Sequence, residues 1–272
     1  MSAALALPEL INGSRSFPNG LTIGISRGGR LLGGDVWKSA NAMQRFLAAN
    51  RADLVSGRRV IELGAGTGYV AMSVHLLGSR VCVATDRGDV LGVLKNNLLD
   101  NAILLEEANG AGILDLAHLD WEEVQHEGTL PEALQPSAAN GGPFELVLAC
   151  DCLFQRQHAE ALLAVLERLA SQHHTNPAPA EALGPSHGNG VSERDDAAAS
   201  ESASPHPAMT VLVCQSFRGA PDVEAAFLEA ASRSFAVAEV SQDATCSPDH
   251  NSLRALNIVI WRLRRSCLAV PG

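Results

Sequence analysis

Apolar positions along the chain form short continuous runs separated by helical stripes. Arg59-Val60-Ile61-Glu62-Leu63 reads as a buried strand, and Val70, Val74 and Leu77 after it lie on one helical face. That helix is expected to stop at Gly78, a residue suited to a left-handed C-terminal turn. The same alternation recurs. Residues 80–86 read as a second strand, Val90, Leu94 and Leu98 as a second stripe, and residues 113–116 as a weaker third strand. Residues 144–151 are almost uniformly apolar, as in a strand buried on both faces of a parallel sheet. Leu162, Val165, Leu166 and Leu169 stripe the helix that follows. Residues 209–216 make a fifth strand, and Pro221 opens another helix, where its missing N–H costs little. Residues 235–240 and 256–263 close the chain as two strands with no helix between them. Upstream, Val36, Ala40, Met43 and Leu47 predict a helix, and the glycine-rich alternation over 20–35 predicts a hairpin or extended lead-in. Strand and helix alternate, so the expected fold is α/β: a doubly wound, mostly parallel seven-stranded sheet with a terminal antiparallel hairpin.

Two stretches break the pattern. Residues 171–208 carry small and polar side chains with five acids against Arg194, and are expected to form a disordered insertion. Residues 125–143 read as a shorter loop of the same kind. A single domain over 20–170 and 209–265 is expected, with a flexible segment at 1–19 and a tail at 266–272.

Composition sharpens this picture by exclusion. The formal charge is −10, from 20 basic and 30 acidic residues, which is the wrong balance for a nucleic-acid partner. Only 4% of residues are aromatic, too few for rows of base-stacking platforms. No run of eighteen apolar residues exists, so no membrane span is expected. Residues 1–10 hold no basic side chain and contain Pro8 and Glu9, unlike a secretory signal, so a cytoplasmic location is the expectation, with the nucleus as the second option; a monomer is expected separately. Most of the six cysteines lie in apolar runs, where a reduced thiol behaves as a small hydrophobe. On a continued strand Cys150 and Cys152 would share one face, with Asp151 on the other; no second pair follows to complete a zinc site. The nine histidines form no metal set, and Arg262, Arg264 and Arg265 read as a solvated face or as edge protection.

The chemistry concentrates at Gly64-Ala65-Gly66-Thr67-Gly68, between a buried strand and a helix, which is the setting of a nucleotide-binding loop. The last glycine comes one residue too early for the dinucleotide fingerprint, and no Lys-Ser/Thr follows as in a phosphate-gripping loop. Asp86 ends the second strand, where a carboxylate can accept both hydroxyls of an adenosine ribose. A phosphate-free adenosine joined to an amino acid suits such a site. Its carboxylate can meet the loop amides, and acids such as Glu62 can meet its amine.

Four stretches in order then carry a resemblance: Gly34-Asp35-Val36-Trp37-Lys38-Ser39-Ala40, Val60 to Gly68, Leu119-Asp120-Trp121, and Ala149-Cys150-Asp151-Cys152-Leu153-Phe154. The chain resembles the seven-β-strand protein-lysine methyltransferases of methyltransferase family 16, of the methyltransferase-like 21 type. The resemblance implies a Rossmann-like class I methyltransferase fold, S-adenosyl-L-methionine as cofactor, and a protein substrate presenting a lysine. It implies a cofactor site of Trp37, Glu62, Gly64, Ala65, Gly66, Gly68, Asp86, Trp121 and Cys150, with Trp121 against the adenine. It also implies that Asp151 orients the target ammonium; a plain helix N-cap is the structural alternative at that position. Phe154 stands where the family has Tyr, and Lys38 where it usually has Asp. Transfer to a small molecule or another side chain, or a non-catalytic role on the same fold, stay open on the residues alone.

Overall fold

The computed structural model describes residues 13–25, 33–137, 141–173, 208–216, 221–241, 253 and 257–265. Strands β1 (Gly13–Ser16) and β2 (Thr22–Ile25) pair as an antiparallel hairpin. Helices α1 (Lys38–Ala49) and the single turn α2 (Arg51–Leu54) follow. Then come β3 (Arg59–Leu63), α3 (Tyr69–Leu76), β4 (Val81–Asp86), α4 (Leu91–Asp100), α5 (Ala102–Asn109) and β5 (Ile113–His118). After α6 (Trp121–Glu127) the chain continues as β6 (Leu146–Cys150), α7 (Arg156–Ser171), β7 (Thr210–Ser216), α8 (Pro221–Ala231), β8 (Phe235–Glu239) and β9 (Ile258–Arg265).

The expected seven-stranded, doubly wound sheet is present, in the order β5-β4-β3-β6-β7-β9-β8. Strands β3 to β7 run parallel, and β9 is antiparallel to both of its neighbours. The closing hairpin therefore inserts its second arm beside β7 and leaves β8 at the edge. This corrects the edge-protection reading of Arg262, Arg264 and Arg265: β9 lies inside the sheet, and Arg265 Nη1 bonds the Ala170 carbonyl at 2.7 Å. The first hairpin also starts earlier than expected, at Gly13, inside the segment anticipated as flexible; its anticipated second arm falls mostly on residues 26–32, outside the described residues. Most of the insertion anticipated at 171–208 lies outside them as well.

Strand alternation sends successive side chains to opposite faces, so the sheet builds two cores. Val60, Cys82, Ala84, Leu146, Leu148, Leu212 and Cys214 pack under α1, α3 and the hairpin residues Leu21, Ile23 and Ile25. Ile61, Leu63, Val81, Val83, Val147, Ala149, Val211 and Val213 pack under α6, α7 and α8. The short loop after α6 is not wholly solvated: Leu130 and Leu134 sink into this second core beside Phe144. Among the described residues no helix is long and apolar enough to cross a membrane.

Candidate functional site

The chain reverses its direction of winding between β4 and β6, which lie on either side of β3. Ligands of open α/β sheets sit at such a switch point, outside the carboxyl ends of the strands. A cavity of about 1130 Å³, counting its open mouth, lies there. Its lining includes Trp37, Glu62, Gly64, Ala65, Gly66, Asp86, Trp121, Cys150 and Asp151 from the sequence-derived set. Gly68 is the exception.

The glycine loop takes its shape from three left-handed residues, Gly64 (φ 68°), Gly66 (φ 56°) and Gly68 (φ 79°). Pairing of β3 with β4 runs on into the loop, where Ala65 N–H donates to the Thr85 carbonyl at 2.9 Å. Gly64 is the close approach: a Cβ there would lie 3.2 Å from the Trp121 ring and from Cys152 Sγ. Gly66 faces the lead-in chain, its missing Cβ 3.0 Å from the Gly33 carbonyl oxygen. Gly68 is turned away from the cavity and N-caps α3; a Cβ there would stand 2.4 Å from Leu94 Cδ1. Its smallness serves helix packing.

Two acids brace this loop. Asp86 Oδ2 accepts the Gly66 N–H at 2.7 Å, and Oδ1 accepts the Arg87 N–H at 2.8 Å. A carboxylate has about four lone-pair sites, so these two bonds leave acceptor capacity for hydroxyl donors. Burial pushes the Asp86 carboxyl above its ordinary value, against the opposing pull of these two amides. Glu62 reaches across the loop and accepts the Ala71 N–H at 2.7 Å, satisfying one of the orphan donors at the start of α3. Its burial, and secondarily the neighbouring Asp86, push its carboxyl well above the usual range.

Trp121 is the first residue of α6, a helix not anticipated from the sequence. Its signals were present: Asp120 accepts the Glu122 N–H at 2.9 Å as N-cap, Glu122 and Glu123 fill the first turn, and Gly128 closes the end at φ 73°. The cap sets where the helix begins, and the Trp121 ring packs against Gly64.

Strand β6 ends at Cys150, and Asp151 turns into the left-handed region at φ 55°. That turn overturns the expectation that Cys150 and Cys152 share a face. Cys150 packs against the first core and Cys152 sits in the second, because one left-handed residue inverts strand alternation. Burial, with the surrounding acidic groups, pushes both thiols upward. The helix N-cap alternative for Asp151 also fails: α7 begins five residues later, with Gln155 in that place. The Asp151 carboxylate instead accepts bonds from Ser39 and Ser216.

Residues outside the expected cofactor and acceptor set, among them Thr67 of the glycine loop itself, complete the wall. Gly33, Asp35, Thr67, Tyr69, Arg87, Glu122 and His158 all line the cavity. His158 stands edge-on to Phe154, centroids 4.9 Å apart, with Nε2 3.6 Å from Glu122. Trp37 and Phe154, 38% and 41% exposed, also line the cavity. Among the described lining residues acidic side chains outnumber guanidinium groups six to one, and even with Glu62 and Asp86 pushed upward by burial the balance stays acidic. Among the described residues no group of His, Cys, Asp and Glu is placed to hold a metal ion.

Residues 18–177, more than half of the chain, match the lysine methyltransferase family model. The chain belongs to this family. Among its relatives is the protein N-lysine methyltransferase METTL21A of Danio rerio, 34% identical over 136 residues, which are 50% of this chain and 55% of that one. The protein-lysine methyltransferase METTL21E of Mus musculus is 31% identical over 155 residues, 56% of this chain and 58% of its own. The protein-lysine N-methyltransferase rrg1 of Schizosaccharomyces pombe is 30% identical over 138 residues, 50% and 42% of the two chains. The chain thus spans about half the length of the curated relatives it matches. Phe154 falls inside the matched residues 18–177.

Proposed function

We propose that this chain is an S-adenosylmethionine-dependent protein-lysine N-methyltransferase. The observation that carries the reading is one cavity whose walls pair an adenosine-compatible end with an ammonium-compatible end. The first comprises the glycine loop, Asp86 and Trp121; the second comprises Asp151 with the exposed faces of Trp37 and Phe154. Family membership and relatives named as protein-lysine methyltransferases support it.

The cavity fits the cofactor. Trp121 lines the cavity with its ring packed against Gly64, and an aromatic platform for a purine is worth about 1–3 kcal/mol when stacked. Asp86 retains lone pairs that would take ribose hydroxyls, and the backbone of Gly64, Ala65 and Gly66, with Glu62, would hold the amino-acid portion; Cys150 and Trp37 line the same cavity as Asp151. When bound, S-adenosylmethionine supplies a methyl carbon already activated by its sulfonium. The chain's own residues then have two tasks: alignment, and delivery of a neutral amine.

A cationic lysine is drawn by the negative cavity and by Asp151, and aromatic faces favour alkylammonium by about 0.5–2 kcal/mol. Its proton leaves to water at the open mouth or to a carboxylate before attack. Phe154 presents a ring without a hydroxyl, so it can shape the lysine channel but cannot hydrogen-bond the amine.

Incubation with radiolabelled S-adenosylmethionine and cell extract, followed by acid hydrolysis, tests the assignment. Label is expected in Nε-methylated lysine. Label found only in nucleic acid or small molecules would sink it.

A further inference from the structure

Asp151 is tied down from three directions. Its N–H donates to the Cys214 carbonyl at 2.8 Å, which continues the pairing of β6 with β7 one residue beyond the end of β6. Its left-handed backbone then turns the side chain toward β7 and α1. Oδ1 accepts both the N–H of Ser216 at 2.8 Å and its Oγ–H at 2.7 Å. Oδ2 accepts the Oγ–H of Ser39 at 2.5 Å. Ser39 is fully buried on α1 and Ser216 nearly so at the end of β7. Cys214 Sγ, 3.3 Å from the Ser39 carbonyl oxygen, fastens α1 to the same strand. One carboxylate at the cavity wall thus gathers hydroxyl donors from two other elements.

We infer that Ser39 and Ser216 are positioning residues for methyl transfer, holding the Asp151 carboxylate in the orientation that receives the amine. The inference rests on the lysine-methyltransferase reading. An aspartate has two side-chain torsions, and an unheld one would sample several staggered positions. Bonds on both oxygens from buried donors select one of them, and hydrogen bonds to a charged acceptor are short and directional. The selection matters because displacement by about 1 Å in a transfer that depends on in-line alignment costs about a hundredfold in rate. The strained backbone at Asp151 points the same way: an Asp persists in the left-handed region when its surroundings over-determine it. Asp86 is held by the Gly66 and Arg87 amides and Asp151 by Ser39 and Ser216, so a change at either serine is expected to disturb acceptor alignment more than cofactor affinity.

The variants S39A, S216A, S216T and D151N test this. The assay is the initial rate of label transfer from saturating radiolabelled S-adenosylmethionine to extract proteins. Calorimetry with S-adenosylhomocysteine and urea unfolding run alongside. S39A is expected to lose about ten- to a hundredfold in rate with S-adenosylhomocysteine affinity within about twofold of wild type. S216A is expected to lose less, because the Ser216 N–H remains, and S216T to recover the rate by restoring a hydroxyl. A crystal structure of S39A should show the Asp151 carboxylate rotated. Wild-type rates in both alanine variants, or a rate loss matched by lost S-adenosylhomocysteine affinity, would overturn the inference and leave a structural staple. A wild-type rate in D151N overturns it through Asp151 while leaving the methyltransferase reading intact. Absence of label from all proteins with the unmutated enzyme removes that reading, and the inference with it.

Discussion

Glu62 shows how one side chain can serve a helix and a ligand site at once. It is buried, it satisfies an N-terminal amide of α3, and burial raises its carboxyl well above the ordinary 4.5. The native state therefore holds a proton at pH values where the unfolded chain has released it. Stability then falls as pH rises from about 4.5 through the window up to the raised value, by up to about 1.4 kcal/mol per pH unit for one proton. Gln has no proton to lose and keeps an oxygen for the Ala71 N–H. E62Q should flatten this slope in a urea unfolding series taken upward from about pH 5. A slope equal to wild type would show that Glu62 does not titrate differently on folding. His75, lowered by burial, acts with the opposite sign, but it is common to both proteins and cancels in the comparison.

At the scale of elements, the glycine loop is held by a neighbour distant in sequence. Asn97 of α4 accepts the Gly24 N–H at 2.7 Å and donates to the Gly24 carbonyl at 3.1 Å and the Thr67 carbonyl at 3.0 Å. It thereby links the first hairpin to the loop. Asn101, one turn on, pairs both backbone groups of Thr22 and touches no loop residue in these bonds. N97A would orphan three backbone groups at about 1–3 kcal/mol each, so a loss of at least about 3 kcal/mol in urea unfolding is expected. It should also weaken S-adenosylhomocysteine binding in calorimetry, whereas N101A should destabilise with little effect on that affinity. Equal affinity losses in the two would break the proposed link between Asn97 and the loop. Most strands and main helices were readable because their apolar periods are unambiguous; β4, β6 and α7 are examples. Helix α5 and the single turn α2 carried too short a stripe to register, and α6 announced itself through caps rather than period.

For the whole molecule, the switch point between β4 and β6 gathers residues from both halves of the sheet around one cavity. A ligand bound there should stabilise the entire fold: S-adenosylhomocysteine at a hundred times its Kd is expected to add about 2.7 kcal/mol, read as a rise in Tm. G64A should abolish that rise, because its Cβ would press on the Trp121 ring from a backbone that side chains rarely adopt. Retention of the full shift would move the adenosine site elsewhere. The sequence by itself determined the doubly wound sheet and the glycine loop with Asp86, since these depend on local period and short spacing, whereas Trp121 and Asp151 became candidates through the resemblance to a family. Only the tertiary structure decided that Gly68 packs against Leu94 rather than facing the cavity, that β9 lies inside the sheet, and that Asp151 is held by Ser39 and Ser216. Those facts join residues up to 112 positions apart, and no local pattern in a chain encodes which distant side chains will meet.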